Sequence, residues 1–246
     1  MANVSAYLRP ATLDDALACL SRPGAVVVGG GTIVNTARNL DPVLVVDLQD
    51  LHIDAIERDG ENGLAIGATA TFQRLAGDAS VPAAIREAAR REEPSTLRTL
   101  ATVGGLVATA DPSSELLAAF LVHDGEVRLA GRDGPHRVTL AALLADGRPL
   151  ANKIITAVRV ETGGVTAVQR TGRTRADRAI VAAIARRTAD GTRRLALTGV
   201  ARTPVLVAPT PDAAQGLDPP GDYRGSAEYR RALAAVLAGR ALEEVG

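Results

Sequence analysis

The sequence predicts a mixed fold of the α+β class that is built largely from α/β units, and three observations carry this prediction. Short runs of β-branched residues alternate along the chain with segments of helical periodicity. The length of 246 residues is enough for one large domain or two ordinary ones. Because aromatic residues make up only 2% of the chain, we expect a core that consists mainly of Ala, Val, Leu and Ile.

The first predicted elements form a parallel β-α-β unit. An extended lead-in at residues 7–10 precedes a helix that Thr12 is expected to cap. Residues 26–28 and 43–48 are predicted to be buried strands, because β-branched residues suit a pleated sheet and both runs are too short for a helix. A helix that begins near Ile33 would connect them, and this order of elements is typical of parallel sheets.

Hairpins and helices follow in the middle of the chain. Turn residues between apolar runs predict one hairpin around residues 60–62 and another around residues 131–134. The remaining predicted elements of this region are helices at 71–75, 81–91, 116–123 and 140–144 and a strand at 154–160.

A change in composition at residues 161–164 predicts a domain boundary. The first expected domain therefore covers residues 1–160, with subdomains of about 1–52 and 53–160, and the second covers residues 161–246. The predicted elements of the second domain are strands at 165–170 and 193–198, a helix between them at about 177–187, a mostly irregular proline-rich stretch at 204–221, and a final helix at 226–244. Ser226 is expected to cap that helix, whose predicted inner face consists of Tyr229, Leu233, Val236, Leu237 and Leu242.

The charge balance and the few cysteines and histidines argue against several classes of function. Lys plus Arg and Asp plus Glu each number 28, and a neutral chain argues against nucleic acid or a membrane as the main partner. The single cysteine, Cys19, cannot form a disulfide framework or an iron–sulfur site within the chain. No signal peptide or membrane-length apolar run is visible, so we expect a cytoplasmic protein. The three histidines are scattered, without the spacing of metal ligands or of a catalytic triad.

Two glycine-rich stretches are the candidate binding elements. The first glycine segment, residues 28–33 (Val-Gly-Gly-Gly-Thr-Ile), follows a predicted strand, and the second glycine segment, residues 102–105 (Thr-Val-Gly-Gly), lies in a predicted loop of small residues. Glycine lets a ligand approach the backbone, whose N–H groups can form a nest for a pyrophosphate. The first segment lacks the spacing of a Rossmann turn or a P-loop, and for either segment alone a glycine-rich turn without a ligand is the alternative.

Several short motifs occur along the chain in the order in which one known family has them. They are Tyr-x-x-Pro at 7–10, Gly-Gly-Gly-Thr at 29–32, Val-Asp-Leu at 46–48, Ile-Gly-Ala-Thr at 66–69, Leu-Arg at 97–98, Thr-Val-Gly-Gly at 102–105, Ala-Asp-Pro at 110–112 with Glu115, and Arg175, Asp177 and Ala-Ile-Val at 179–181. This ordered set, which covers nearly the whole chain, resembles the FAD-binding medium subunit of molybdenum hydroxylases. That family includes xanthine dehydrogenase and aerobic carbon monoxide dehydrogenase.

The resemblance implies an FAD-binding fold of two subdomains, of the PCMH/vanillyl-alcohol-oxidase type. A small C-terminal α/β domain, like that of the carbon monoxide dehydrogenase flavoprotein, would follow. Backbone amides of both glycine segments would bind the FAD pyrophosphate, and Glu115 would accept a hydrogen bond from the ribityl chain. The implied cofactor-binding residues are Val28, Gly29, Gly30, Gly31, Thr32, Ile33, Thr102, Gly104, Gly105, Asp111, Ser114 and Glu115. No catalytic or metal-binding residue is implied.

The function that the resemblance implies is electron transfer. Electrons from the [2Fe–2S] clusters of an iron–sulfur small subunit would pass through FAD to NAD or another acceptor, and a molybdopterin large subunit would oxidise the substrate. One alternative is a flavin-free scaffold of the same fold, because Leu106 and Thr99 stand where the family commonly has Asn. Another is a stand-alone flavoenzyme on this fold.

Overall fold

The computed structural model describes residues 3–33, 42–147, 149–174 and 177–246, and this part of the chain forms three sheets and eight α-helices. The strands are β1 (Val4–Leu8), β2 (Ala25–Val28), β3 (Val43–Asp47), β4 (Ile56–Arg58), β5 (Gly63–Gly67), β6 (Glu126–Gly131), β7 (Gly134–Thr139), β8 (Ile154–Glu161), β9 (Val165–Thr171), β10 (Val181–Arg187), β11 (Arg193–Thr198) and β12 (Val205–Val207). The helices are α1 (Leu13–Leu20), α2 (Phe72–Gly77), α3 (Ala83–Glu92), α4 (Ser95–Arg98), α5 (Val103–Thr109), α6 (Glu115–Val122), α7 (Leu140–Ala145) and α8 (Ala227–Val245). The predicted α+β class is confirmed.

The N-terminal sheet has three parallel strands in the order β1-β3-β2. Part of the predicted lead-in belongs to β1, in which Tyr7 pairs with Val45 of β3. The central strand β3 is largely buried as predicted, but the expectation of a buried β2 is wrong, since all four of its residues are half-buried. β2 is an edge strand and therefore has a neighbouring strand on one side only. The helix expected from Ile33 onward falls on residues 34–41, which lie outside the described residues.

Helix α1 begins as predicted, because the Thr12 side chain accepts a hydrogen bond from the Asp15 backbone N–H at 3.2 Å. Its buried residues Ala16 and Leu17 pack with Val46 of β3 and with Ile154 of β8. This small apolar cluster holds the N-terminal sheet against the middle sheet.

The middle sheet has five antiparallel strands in the order β4-β5-β8-β6-β7. Both predicted hairpins are confirmed, since β4 pairs with β5 and β6 pairs with β7. The predicted helices correspond to α2, α3, α6 and α7, and every residue of α6 is buried. Helix α6 contacts α3 on one side and the C-terminal strands β10 and β11 on the other. It therefore joins the middle and C-terminal layers through one continuous core.

The C-terminal sheet has four antiparallel strands in the order β12-β11-β10-β9. The predicted helix at 177–187 is wrong, because this stretch contains the central strand β10. Helix α8 covers one face of β10 and helix α6 covers the other. Six of the seven residues of β10 are therefore buried. A strand covered on both faces loses the alternation of polar and apolar residues, and its alanines imitate a helical pattern.

Helix α8 begins as predicted at Ser226, whose hydroxyl accepts from the Tyr229 backbone N–H at 3.2 Å. Its predicted inner face is only partly correct. Leu237 and Leu242 are buried, whereas Tyr229 and Val236 are 45% and 50% exposed. The remaining buried positions of the helix are Arg230, Ala234, Ala238, Ala241 and Val245. Three of the seven buried positions are alanines, and a pattern based on large apolar residues therefore misplaces the buried face.

The proline-rich stretch is largely irregular as predicted, but it contains the short strand β12. The predicted boundary at 160–161 falls at the end of β8 and stays a prediction. The largest core cluster includes residues from both sides of it, among them Val160 and Ile184. Within the described residues, no helix combines the length and the hydropathy needed to cross a membrane.

Candidate functional site

The two glycine segments meet between the N-terminal sheet and helix α5, and a cavity lies on each side of their contact. The first cavity has a volume of about 520 Å³ and the second about 450 Å³. Both volumes lie within the range of small-molecule sites. The two cavities share part of their lining, including Val27, Gly29, Thr102 and Gly105. Together they form one cleft between edge strand β2 and the start of α5.

The first glycine segment is the turn at the end of β2. Gly31 has a φ of +70°, a left-handed value that glycine adopts without strain. A Cβ atom at Gly30 would overlap the carbonyl oxygen of Leu100, and one at Gly29 would lie 2.5 Å from Thr102 Oγ1. These two positions therefore require glycine, because the two walls of the cleft approach each other closely here. The first wall is the first glycine segment, and the second wall is the stretch from Leu100 through the second glycine segment. Among the described residues, no group accepts a hydrogen bond from the backbone amides of residues 30–32.

The second glycine segment is the start of a helix, and the prediction of a loop is wrong here. Thr102 is the N-cap of α5, and its hydroxyl accepts from Gly105 N at 3.3 Å. The amide of Val103 donates to the Ala70 carbonyl at 3.0 Å, and that of Gly104 donates to the Ala68 carbonyl at 2.7 Å. A threonine cap outweighs the low helix propensity of two glycines over this short helix. The amides of this segment are thus engaged within the chain, while the Thr102 hydroxyl keeps its proton for a ligand.

The structure brings ten of the twelve predicted site residues to the cleft. Ser114 and Glu115 line neither cavity. Ser114 caps α6 by accepting from Leu117 N at 3.0 Å. Glu115 is buried beside it and pairs with Arg170 Nε at 2.8 Å. Leu106 lines the second cavity and belongs to the largest core cluster, so its side chain has a packing role.

A charged group at the second cavity, the Arg178 cluster (Glu92, Glu93, Asp111 and Arg178), includes residues that the sequence analysis missed. Glu92, the last residue of α3, is 4% exposed and pairs with Arg178 Nη2 at 2.9 Å. Its second oxygen accepts from the Leu116 backbone N–H at 3.1 Å. Arg178 Nη1 binds Asp111 Oδ2 at 2.8 Å, and Glu93 lies 3.7 Å from Nη2. Arg178 follows Glu92 by 86 residues, a separation at which no local sequence signal links them.

The environment shifts the pKa values of two carboxyl groups in this cluster in opposite directions. Burial raises the pKa of Glu92 to about 7, although Arg178 and the Leu116 amide oppose the shift. Burial also acts to raise the pKa of Asp111, but the Ser113 hydroxyl and the Arg178 guanidinium together lower it below its ordinary value. Glu92 can therefore exchange a proton near neutral pH while Asp111 stays ionised.

The first cavity has the opposite electrostatic character. Its charged lining residues in the described part of the chain are Arg22 and Lys153, and no described carboxylate lines it. Lys153 is the only lysine in a sequence with 28 Lys and Arg residues, a signal that the sequence analysis did not use. The rest of the lining is mainly aliphatic, with Leu20, Val27 and Ile155 among its members. The cleft thus has a cationic, apolar end and an acidic end, and the glycine segments lie between them.

Comparison with known proteins identifies the family. The family described as the FAD-binding domain in molybdopterin dehydrogenase matches residues 2–160. The carbon monoxide dehydrogenase medium chain of Afipia carboxidovorans is 30% identical over 276 aligned positions that cover 96% of this chain and 95% of the relative. The uncharacterised protein YgfM of Escherichia coli K12 is 28% identical and covers 95% of this chain and 93% of its own length.

A solved structure shows the same fold. The reconstituted CO dehydrogenase from Oligotropha carboxidovorans contains a chain that matches with a TM-score of 0.86 and 26% identity, over 100% of this chain and 98% of that one. The sequence-based identification of the family is therefore confirmed, and with it FAD as the cofactor and an oxidoreductase as the class of enzyme. The chain belongs to the FAD-binding domain family of molybdopterin dehydrogenases, as an FAD-binding subunit of the carbon monoxide dehydrogenase type.

Proposed function

We propose that this chain binds FAD in the cleft between β2 and α5 and passes electrons from the [2Fe–2S] clusters of a partner to an external acceptor. The observation that carries this proposal is the turn of the first glycine segment. It presents three backbone amides, those of Gly30, Gly31 and Thr32, that donate to no other described residue. In a chain of this family, such a row of donors beside two connected cavities suits the pyrophosphate of FAD.

The residues of the cleft fit the rest of the cofactor. The Thr102 hydroxyl adds a donor opposite the first glycine segment, and the missing Cβ atoms at Gly29 and Gly30 let the two walls approach each other. The aliphatic lining around Val27 and Ala108 suits flat ring systems, since rings gain contact area on such surfaces. Ser114 and Glu115 act indirectly, because they hold the start of α6 in place behind the second cavity. Bound FAD supplies the redox chemistry, while the protein binds it, orients it and excludes water.

The proposed partners follow from the relatives. The Afipia protein is a medium chain of carbon monoxide dehydrogenase, and we propose an iron–sulfur small subunit and a molybdopterin large subunit as partners of this chain. The acceptor would be NAD or another oxidant. The cytoplasmic location inferred from the sequence stays a prediction.

The test is the visible absorption spectrum of the purified chain before and after incubation with FAD, followed by removal of unbound flavin. We expect a bound-flavin spectrum at one FAD per chain. Reduction of that flavin by an isolated, reduced iron–sulfur partner under anaerobic conditions would then test electron transfer. A folded chain that binds no FAD would contradict the proposal and favour the flavin-free scaffold, an alternative that the buried Leu106 and the engaged amides of the second glycine segment support.

A further inference from the structure

The Arg178 cluster places more negative than positive charge against the second cavity. Three carboxylates, those of Glu92, Glu93 and Asp111, share the single guanidinium of Arg178. With all groups ionised the cluster has a formal charge of −2. Glu115 of α6 has cationic partners of its own, since it pairs with Arg170 of β9 at 2.8 Å and lies 3.8 Å from Arg91 of α3. A ligand that gains electrons in this cavity therefore adds charge of the same sign to a site that already has an excess of it.

Within the cluster, Glu92 is the group best placed to compensate such a change with a proton. Its carboxylate is almost fully buried, whereas the Asp111 and Glu93 side chains are 37% and 28% exposed. A buried charge interacts more strongly with a nearby charge than an exposed one does, because water screens it less. Burial also raises the pKa of Glu92 to about 7, so that uptake of a proton at neutral pH costs little free energy. The Asp111 side chain, which pairs with Arg178, gives the cluster its contact with solvent.

We propose that Glu92 takes up a proton when FAD bound in this cleft is reduced, and that Arg178 and Asp111 are positioning residues that hold its carboxyl group at the cavity. This inference rests on the proposed function. In the step, a proton from solvent forms an O–H bond with the Glu92 carboxylate, and the electrons that reduce the flavin come from the iron–sulfur partner, which delivers no protons. Oxidation of the flavin by the acceptor returns the proton to solvent.

The experiment is a measurement of the midpoint potential of bound FAD between pH 6 and pH 8, by spectroelectrochemistry on the FAD-loaded full chain. Between pH 6 and pH 8, we expect the midpoint potential of the wild-type chain to fall by about 30 mV more than that of Glu92→Gln. For a two-electron couple this difference corresponds to about a tenfold change in the equilibrium constant for reduction. Glu93→Gln is the matched control, since it removes a neighbouring carboxylate from the same cavity. It should shift the potential but keep the wild-type dependence on pH.

The outcomes separate this inference from the proposed function. If wild-type and Glu92→Gln chains both bind one FAD and show the same pH dependence, the inference is wrong and the proposed function stands. If the wild-type chain binds no FAD, both are wrong. Should Glu92→Gln fail to fold, an infrared difference spectrum of the wild-type chain on reduction decides, because a carboxylic C=O band must appear if a buried carboxylate is protonated. Its absence would overturn the inference.

Discussion

The two glycine segments resemble each other in sequence and differ in structure. The first forms a turn after an edge strand, and the amides of residues 30–32 donate to no other described residue. The second begins helix α5, and its amides donate to Ala68, Ala70 and the Thr102 hydroxyl. Glycine content therefore indicates where the backbone can be approached, but not which N–H groups are available. We infer that the first wall of the cleft supplies the donors and the second supplies a surface and one hydroxyl.

Gly30→Ala should have the largest effect, because it adds a Cβ atom where the Leu100 carbonyl oxygen lies. The two walls must move apart, and we expect a loss of stability of about 3 kcal/mol and a fall in FAD affinity of at least about tenfold. Chemical denaturation and FAD titration measure the two effects. Gly77→Ala is the control, since a Cβ atom there meets nothing within 4 Å. Unchanged FAD binding in Gly30→Ala would show that the contact between the walls is not needed for the cofactor.

Measurements on the two walls must be made where the rest of the fold is stable, and His123 sets the acidic limit of that pH range. Its ring is 1% exposed and hydrogen-bonds the Glu161 carbonyl at 2.7 Å, and burial lowers its pKa from 6.5 to about 4. The unfolded chain then binds a proton that the native chain does not, so the contribution of His123 to stability is complete above pH 6.5 and is lost as the pH drops towards 4. The expected loss is about 3 kcal/mol.

His123→Gln isolates this contribution, because glutamine does not titrate. The variant should be less stable than the wild type at pH 8, and the difference should shrink as the pH falls from 6.5 to 4. The raised pKa of Glu92 acts in the opposite direction between pH 4.5 and 7, but it is common to both chains and cancels in the comparison. Denaturant titrations at a series of pH values measure the difference. A constant difference would show that the pKa of His123 is the same in the native and the unfolded chain.

Thr102→Val tests the hydroxyl of the second wall with little change in shape. The variant loses the cap of α5, which should cost about 1 kcal/mol of stability, and it also loses the donor proposed for FAD. We expect FAD affinity to fall by up to about tenfold. Thr102→Ser keeps the hydroxyl and should restore both properties in large part. Equal FAD affinity for the valine and serine variants would assign Thr102 to folding alone.

Gly105→Ala should have the smallest effect. Its Cβ atom would lie 3.2 Å from Thr102 Oγ1, a tight contact whose cost is offset by the higher helix propensity of alanine, which is worth about 1 kcal/mol. We expect stability within about 1 kcal/mol of the wild type and a modest fall in FAD affinity, because the methyl group enters the cleft. If this variant loses FAD as fully as Gly30→Ala, the proposed difference between the two walls is wrong.

Local signals predicted the parts of the fold that local interactions decide. The caps at Thr12 and Ser226 and the two hairpins depend on neighbours in sequence, and all are confirmed. Strand β10 could not be predicted from local sequence, because helices from distant parts of the chain cover both of its faces. The same limit applies to the site. The glycine segments are visible in the sequence. The ion pair of Glu92 with Arg178 and the hydrogen bond from the Gly104 amide to the Ala68 carbonyl exist only in the folded chain.

The ion pair between Glu92 and Arg178 joins residues that are 86 positions apart in the sequence, and this separation affects how the protein matures. Both glycine segments leave the ribosome long before residue 178, but the buried Glu92 acquires its guanidinium partner only after strand β9 has been synthesised. The acidic wall of the cleft is therefore completed late, and cofactor loading should begin only after Arg178 has left the ribosome. Nascent chains stalled before and after residue 178 would test this order, since only the longer ones should retain FAD.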